Sequence, residues 1–429
     1  MSNSFSKEER VAFEDILEGF NDALVLSRNV SVYNTDSSMM ERTNNVIYRP
    51  QPYIAQSYDG MDQTGNFGAY TQLSVPATLG FQKSVPFILD ALELRDALQE
   101  GRLGEAAKQK LASDINIAIM NVAANLGSLV VTVSTAAGDY DDIALCDSIM
   151  NEQGVQAFDR YMALSSRDYN GIAGNIAGGA GGASVSRSFA GNKSNNAFER
   201  SYVGMVAGFE TYKLDYANRI AAATGADPTM STLAAAGNYY TPVATSTAAT
   251  GETGNVDNRF QTITVSSTTD LPAGTAIEIE GVEAVHHITK LGTGFSKTFR
   301  VVSVTNATTC VITPPIISAQ GGTDAELQYQ NCIVTAAAGR TINRLNVDAA
   351  PINCFWQKDA LEILPGRYAV PSDAGVAVMR ASTDQGIELV MQKQYDVNTM
   401  KTKYRLDTLF GVVNKQPEMS GILLFNQVP

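Results

Sequence analysis

The sequence predicts an α+β protein with a separate all-β module inserted into its host fold. Three observations point there. The chain has 429 residues, too many for one ordinary domain. Between about residues 225 and 346 it turns into short Ile-, Val- and Thr-rich runs separated by Gly, Pro and Asn turns, the pattern of a small antiparallel barrel. The flanks, FERSYVGMVAGFETYKLD before and LNVDAAPINCFWQKDALEIL after, read as one mixed domain that the module interrupts.

Composition narrows the function. Apolar residues make up 44%, enough for real cores. A net charge of −13 argues against gripping DNA or an anionic membrane by bulk electrostatics. Cys146, Cys310, Cys332 and Cys354 are widely spaced without a CxxC and read as reduced thiols of a cytoplasmic protein. The N-terminus lacks a signal-peptide apolar core, and no later run is long and apolar enough to span a bilayer.

Residues 7–27 predict an amphipathic helix. Phe13, Leu17, Phe20 and Leu24 form its apolar stripe, while Glu14, Glu18 and Asp22, with Asp15 beside them, form an acidic face. Residues 28–45 are polar and extended. Two strand-like arms follow in 46–88, NVIYRPQPYIAQ and YTQLSVPATLGF, around the tip SYDGMDQTGNFGA. Such a projecting hairpin cannot bury a core by itself. A long helix over 105–126 shows Leu111, Ile115, Ile119, Val122 and Leu126 at i+4 or i+3. The run GIAGNIAGGAGGASVSRSFAGNKSNN lacks GxxxxGK[ST] and a strand feeding it, so it predicts a flexible surface loop rather than a phosphate site. The C-terminal stretch predicts strands over 387–395 and 402–413 around a turn at 396–399, then a short strand GILLF.

The two histidines, His286 and His287, lie in TAIEIEGVEAVHHITK. The alternation predicts a hairpin turning at Gly281–Val282, with the histidines on opposite faces of a strand. A catalytic zinc wants about three protein ligands, and no third histidine or nearby cysteine exists. Neither a metal nor a catalytic role is assigned, and no cofactor is expected.

The chain resembles the HK97-like major capsid proteins of tailed bacteriophages, in the P22-like branch. Five stretches carry the resemblance in order: AAKQKLASDINIAIMNVAANLGSLVV, VAGFETYK, GNVDNRFQTITVSSTTDLPAGTAIEIEGVEAV, NCFWQKDALEIL and YDVNTMKTKYRLDTLFGVV. It implies an N-terminal arm (1–45), an extended hairpin (46–88), a spine helix and the start of a peripheral domain (89–137), and an axial domain in two parts (138–224 and 347–384). The inserted barrel (225–346) and the peripheral strands with the C-terminus (385–429) complete it. It implies no enzymatic activity. Subunits would form hexamers and pentamers that close into an icosahedral shell in the host cytoplasm, around a scaffolding protein that later leaves. A portal at one vertex would admit double-stranded DNA, contacted only weakly, and the shell would then expand. Decoration proteins are an optional further partner, and no membrane is involved.

The site residues expected on this reading are three sets. Glu14, Asp15, Glu18 and Asp22 would receive scaffold. Asp59 and Asp62 at the hairpin tip would reach a neighbour's Arg95, Arg102, Lys108 or Lys110. Glu252 and Asp257 would bridge capsomers through a loop of the inserted domain, although that loop is poor in charge and a strong ionic clasp is doubtful. No propeptide or Lys–Asn crosslinking signature is evident. An encapsulin-type bacterial compartment shell shares the expected fold but would lack the inserted barrel. A surface-layer protein should carry a secretion signal, and a Gly-loop enzyme would need a phosphate site and acid–base residues.

Overall fold

The computed structural model describes the chain outside residues 1–4, 6, 34–45, 52–56, 58, 66, 69, 91–96, 139, 178–198, 215, 217, 226, 231–238, 336–338, 371–374 and 429. It divides into two compact units: Met1–Ile47 with Pro76–Ile119 and Leu361–Val413, and Tyr48–Val75 with Met120–Ala360 and Asn414–Pro429.

In the first unit the amphipathic N-terminal helix runs Lys7–Ala23, shorter than the expected 7–27, and gives way to a 3-10 turn at Leu26–Asn29. Phe13, Ile16, Phe20 and Leu24 are buried, so the helix is held by an apolar stripe at three- and four-residue spacing. Leu17 is only half-buried, and Ile16 takes the inward position instead. The long helix starts earlier than periodicity suggested, at Ala97, and ends at Leu126. Leu111, Ile115 and Ile119 are buried along it, whereas Val122 is only partly so.

The sheet of this unit has the order Ser31–Val32, Leu361–Pro365, Lys401–Asn414, Glu388–Asp396, Ala377–Ser382, with Phe81–Asp90 also paired to Lys401–Asn414. The hairpin of Glu388–Asp396 and Lys401–Asn414 is in register from Leu389↔Thr408 to Asp396↔Lys401, close to the bounds read from sequence. Cross-strand aromatic pairs fix the third strand: Phe81 stacks on Phe410 and Phe87 on Tyr404, both at 5.3 Å. Glu9, itself buried, takes the Lys393 ammonium and a hydrogen bond from the Tyr404 hydroxyl at 3.0 Å.

The second unit contains a mixed six-stranded sheet, ordered Leu129–Thr132, Ser420–Leu424, Asn353–Gln357, Arg160–Ser165, Phe209–Leu214, Met205–Val206. Helices Tyr140–Glu152 and Ser166–Ala177 supply Ile143, Met150 and Ile172 to its core, and Phe209 meets Phe355 edge-on at 6.0 Å. The Gly-rich run begins inside a helix, since Gly171–Ala177 belongs to Ser166–Ala177; its remainder, 178–196, lies outside the described residues. Sheet membership also departs from the domain bounds read from sequence. Leu361–Pro365 and Ala377–Ser382 pair in the first unit's sheet, and Ser420–Leu424 sits inside this one, paired in parallel with Leu129–Thr132.

The inserted module is a seven-stranded sheet curled on itself. Its path runs Thr229–Met230, Arg340–Arg344, Ala276–Val285, Gly292–Asn306, Thr309–Thr313, Gln261–Thr264, with Cys332–Val334 added beside Ala276–Val285. The two ends meet: Met230 bridges Val265, and Ser266 N donates to Thr229 O at 2.8 Å. Met230, Ile263, Ile277, Phe299, Val301 and Ile312 fill the interior.

The hairpin does not turn at Gly281–Val282 as expected. Ala276–Val285 runs straight through that dipeptide, and the turn falls at His286–Lys290. Gly281 has φ +79° and sits where the register jumps between Glu278↔Thr298 and Glu283↔Ser296. It is a bulge that bends one strand, so that residues 277–279 pair with Arg340–Arg344 and residues 282–284 with Cys332–Val334.

Two glycines make opposite demands. A methyl on Gly421 would strike the Leu129 carbonyl and the Phe355 ring, whereas one on Gly174, within helix Ser166–Ala177, meets nothing within 4 Å. Gly421→Ala is expected to destabilise by about 1–3 kcal/mol through overpacking, and Gly174→Ala to stabilise by about 0.5–1 kcal/mol. Urea unfolding of the two variants checks the pair of signs.

Candidate functional site

Among the described residues three exposed elements and one buried junction bear on function. The acidic helix face is as expected in exposure: Glu14, Asp15, Glu18 and Asp22 all face solvent. Among the described residues, Asp22 of this set has an ion-pair partner, Arg28 at 3.8 Å.

The extended arm is the second element. Its limbs pair through Val46–Pro50 and Ser74–Thr78. At the tip Asp59 and Asp62 are exposed. Asp62 accepts hydrogen bonds from Thr64 N at 3.1 Å and Thr64 Oγ1 at 2.5 Å, and the Thr64 side-chain bond leads in holding its carboxyl below the usual range. Sequence reasoning missed the apolar part. Met61 is 104% exposed and Phe67 87%. Their signal was a methionine and a phenylalanine standing alone among Gly, Asp and Gln.

Of the basic residues expected to meet such a tip, Lys108 pairs with Glu105, and Lys110 with Asp114 at 2.6 Å, both along the long helix. Arg95 lies outside the described residues, and the Arg102 side chain is likewise not described.

The third element is a ribbon of Thr245–Thr247 against Thr253–Asn255, every residue exposed. Glu252 is exposed beside it. Asp257 stands at its foot and is committed within the chain: Arg259 donates to it from Nη2 at 2.6 Å and Nε at 2.9 Å. Arg259 Nη1 also donates to Asn414 O at 2.8 Å. Of the two expected carboxylates, Glu252 is exposed and Asp257 is paired within the chain.

The buried junction uses one of the two histidines. Lys297, on the barrel strand Gly292–Asn306, donates to Glu418 Oε1 at 2.5 Å. Glu418 lies in the 3-10 turn before the strand Ser420–Leu424. His287 places Nε2 3.5 Å from Glu418 Oε2. Beside them Thr298 Oγ1 donates to Ser128 O at 2.7 Å, and His287 N donates to Gln153 O at 3.1 Å. Barrel and mixed sheet are thus sewn together by charge and backbone.

Burial pushes His287 down to about 4, only partly opposed by Glu418, so the ring is neutral at pH 7. Burial also drives Lys290 down to about 8. Burial would raise Glu418, but Lys297 leads the neighbours that outweigh it and hold the carboxyl below its usual value. His286 is separate: its Nδ1 accepts from Thr289 N at 3.2 Å. The histidines are turn residues, not the alternating strand residues expected. Among the described residues no group of three or more His, Cys, Asp or Glu is placed to hold a metal. All four cysteines are buried and free, with burial raising each thiol.

Among the described residues the chain builds an extended arm, a long helix, two six-stranded sheets and a barrel inserted between strands of one of them. The chain belongs to the P22 coat protein family: residues 1–426 match the family model described as "P22 coat protein - gene protein 5". It is thus a phage major capsid protein, a structural component of a virion shell. Solved structures similar to it include "Asymmetric unit of bacteriophage PhiM1 mature capsid", at 10% identity over 94% of this chain and 86% of that one, with TM-score 0.43. A structure from Mycobacterium phage Che8 is 9% identical over 93% of this chain and 90% of that one, with TM-score 0.42. The "CUS-3 coat protein I-domain" is 33% identical over 29% of this chain and 98% of that one, with TM-score 0.22.

The junction generates a prediction. Glu418→Gln leaves Lys297 buried without its counter-charge and should cost about 3–5 kcal/mol. The unfolded chain binds the His287 proton near 6.5 and the folded chain only near 4, so protons favour the unfolded state between those values. Stability should fall as pH drops from 6.5 towards 4, and His287→Gln should flatten that part of the profile. Chemical denaturation at stepped pH, wild type against His287→Gln, measures the difference.

Proposed function

We propose that this chain self-assembles as hexamers and pentamers into an icosahedral shell enclosing a double-stranded DNA genome, through a scaffold-assisted procapsid that expands on maturation. The match to the coat protein family along residues 1–426 carries the reading. The exposed arm supports it, because a tip with Met61 and Phe67 in solvent has nothing of its own to pack on and gains by meeting a neighbour. Assembly takes place in the host cytoplasm. The partners are further copies of the chain, a scaffolding protein and a portal at one vertex, with decoration proteins optional. The inserted barrel folds as a unit over about 225–346 and lies on the outside of the shell. Glu252 is the one carboxylate of the two that its ribbon can offer across a capsomer boundary.

In this reading Asp59 and Asp62 lie over a neighbour, near its Lys108 and Lys110 or its Arg95 and Arg102. Electron microscopy of the purified chain, co-expressed with its scaffolding protein, should show closed angular shells. Deleting residues 60–65 should leave a soluble, folded subunit that forms few or none. A lattice, a soluble oligomer, or normal shells from the deletion variant would each refute the corresponding part.

The acidic helix face receives a basic helix of the scaffold. Exposed ion pairs are individually weak and screened by salt, which suits a partner that must leave. Reversing charge at Glu14 and Glu18 should empty the particles of scaffold while circular dichroism of the subunit stays unchanged. Gel analysis of purified particles reads the outcome, and wild-type scaffold content would sink the assignment.

A further inference from the structure

The arm changes character abruptly along its return limb. Leu73 and Val75 are 1% and 0% exposed, whereas Tyr70, Phe67 and Met61 are open to solvent. At the point of change the limb meets the short helix Asp324–Tyr329 of the inserted module. Thr71 N donates to Gln328 Oε1 at 3.1 Å. The Tyr329 hydroxyl donates to Thr71 O at 3.0 Å and accepts from Leu73 N at 3.4 Å. Two side chains of one helix therefore hold the backbone of two alternate arm residues. Just beyond, the backbones of Ser74 and Asp257 form a parallel β-bridge, and Arg259 holds the Asp257 carboxylate.

The helix is a firm anchor. Glu326 is fully buried and takes the hydroxyl of Thr241, and Thr323 Oγ1 caps Glu326 N at 3.3 Å. Asn331, two residues past its end, donates to Pro315 O at 2.9 Å and accepts from Ile317 N at 3.1 Å. The outgoing limb is tied to the same place: Gln51 N donates to Leu73 O at 2.9 Å, and Gln72 Nε2 donates to Gln51 O at 2.7 Å.

We propose that helix Asp324–Tyr329 is an intramolecular latch by which the inserted barrel grips the root of the extended arm and sets the direction in which the tip leaves. Neutral hydrogen bonds to a backbone with no ion pair among them suit this role. They fix a path, yet they can be exchanged when a neighbour takes the tip. The barrel then does more than stabilise its host, because it orients the element that joins one subunit to the next. That consequence rests on the shell-forming reading; the grip itself does not.

The test is the full-length chain with Tyr329→Phe and Gln328→Met, which keep the ring and the side-chain volume but remove the three bonds. In the unassembled subunit, amide exchange of Thr71 and Leu73 should quicken at least tenfold, while Ile277 and Phe299 in the barrel core keep their protection. With scaffold, shells should form more slowly or in aberrant shapes. Unchanged exchange at Thr71 and Leu73 overturns the latch, and so does faster exchange with shells of wild-type rate and shape. If the double variant loosens the barrel core as well, Tyr329→Phe alone must show the selective effect on Leu73, and its absence overturns the proposal. Should the wild-type chain form no shells, the shell-forming reading fails, and exchange at Thr71 and Leu73 still decides whether the grip exists.

Discussion

A two-stranded stem is the constraint on which the second unit depends. The barrel departs after Phe209–Leu214 and returns at Asn353–Gln357, two strands that flank Arg160–Ser165 in one sheet. The stem closes the gap: Ile220 pairs with Ala350 and Arg219 with Pro351. Asn346, 1% exposed, locks it by donating to Ala221 O at 2.8 Å and accepting from Ala276 N at 3.1 Å, while Ala223 N donates to its carbonyl at 2.8 Å. Closure entropy grows only slowly with loop length. Once the two ends are pinned side by side, a domain-sized insertion costs the host sheet little more than a short loop would.

Beyond the stem, Lys297–Glu418 ties the module to the mixed sheet. A wholly apolar interface would bind as well or better, since burying an ion pair gains little net stability. It would also slide. A single ammonium that must find a single carboxylate, with Thr298 and His287 bonded to backbone at its sides, specifies one orientation. Arg259 adds a second fixed point on Asn414, next to the strand that Glu418 leads into.

What could be read from sequence was what local period encodes. The apolar stripe of the first helix, the hairpin near the C-terminus and the strand-rich insertion all follow from repeats of two or three to four residues. What escaped was non-local. Ser420–Leu424 looked like the end of a hairpin series, but it pairs with Leu129–Thr132 across most of the chain, and nothing in GILLF names that partner. Lys297 and Glu418 are 121 positions apart. The misplaced hairpin turn has a different cause. Gly281 is as good at bending a strand as at ending one, and only the register of the partner strands tells the two apart. Asp257 and Arg259 were closer to legible, since an Asp side chain commonly accepts from the backbone N–H two residues on, as Arg259 N donates to Asp257 Oδ1 at 3.1 Å.

The chain breaks the ordinary burial rule in two opposite ways, and the contrast separates what is fixed from what is meant to be met. Charge goes inside at Lys297 and Glu418, where partners are internal and constant. Large apolar groups go outside at Met61 and Phe67, both open to solvent. An exposed apolar tip invites indiscriminate association, yet it is small, it is flanked by Asp59 and Asp62, and it belongs to a chain of net charge −13. Like-charge repulsion between copies raises the barrier to random encounters, which offsets the pull of the exposed Met61 and Phe67 side chains.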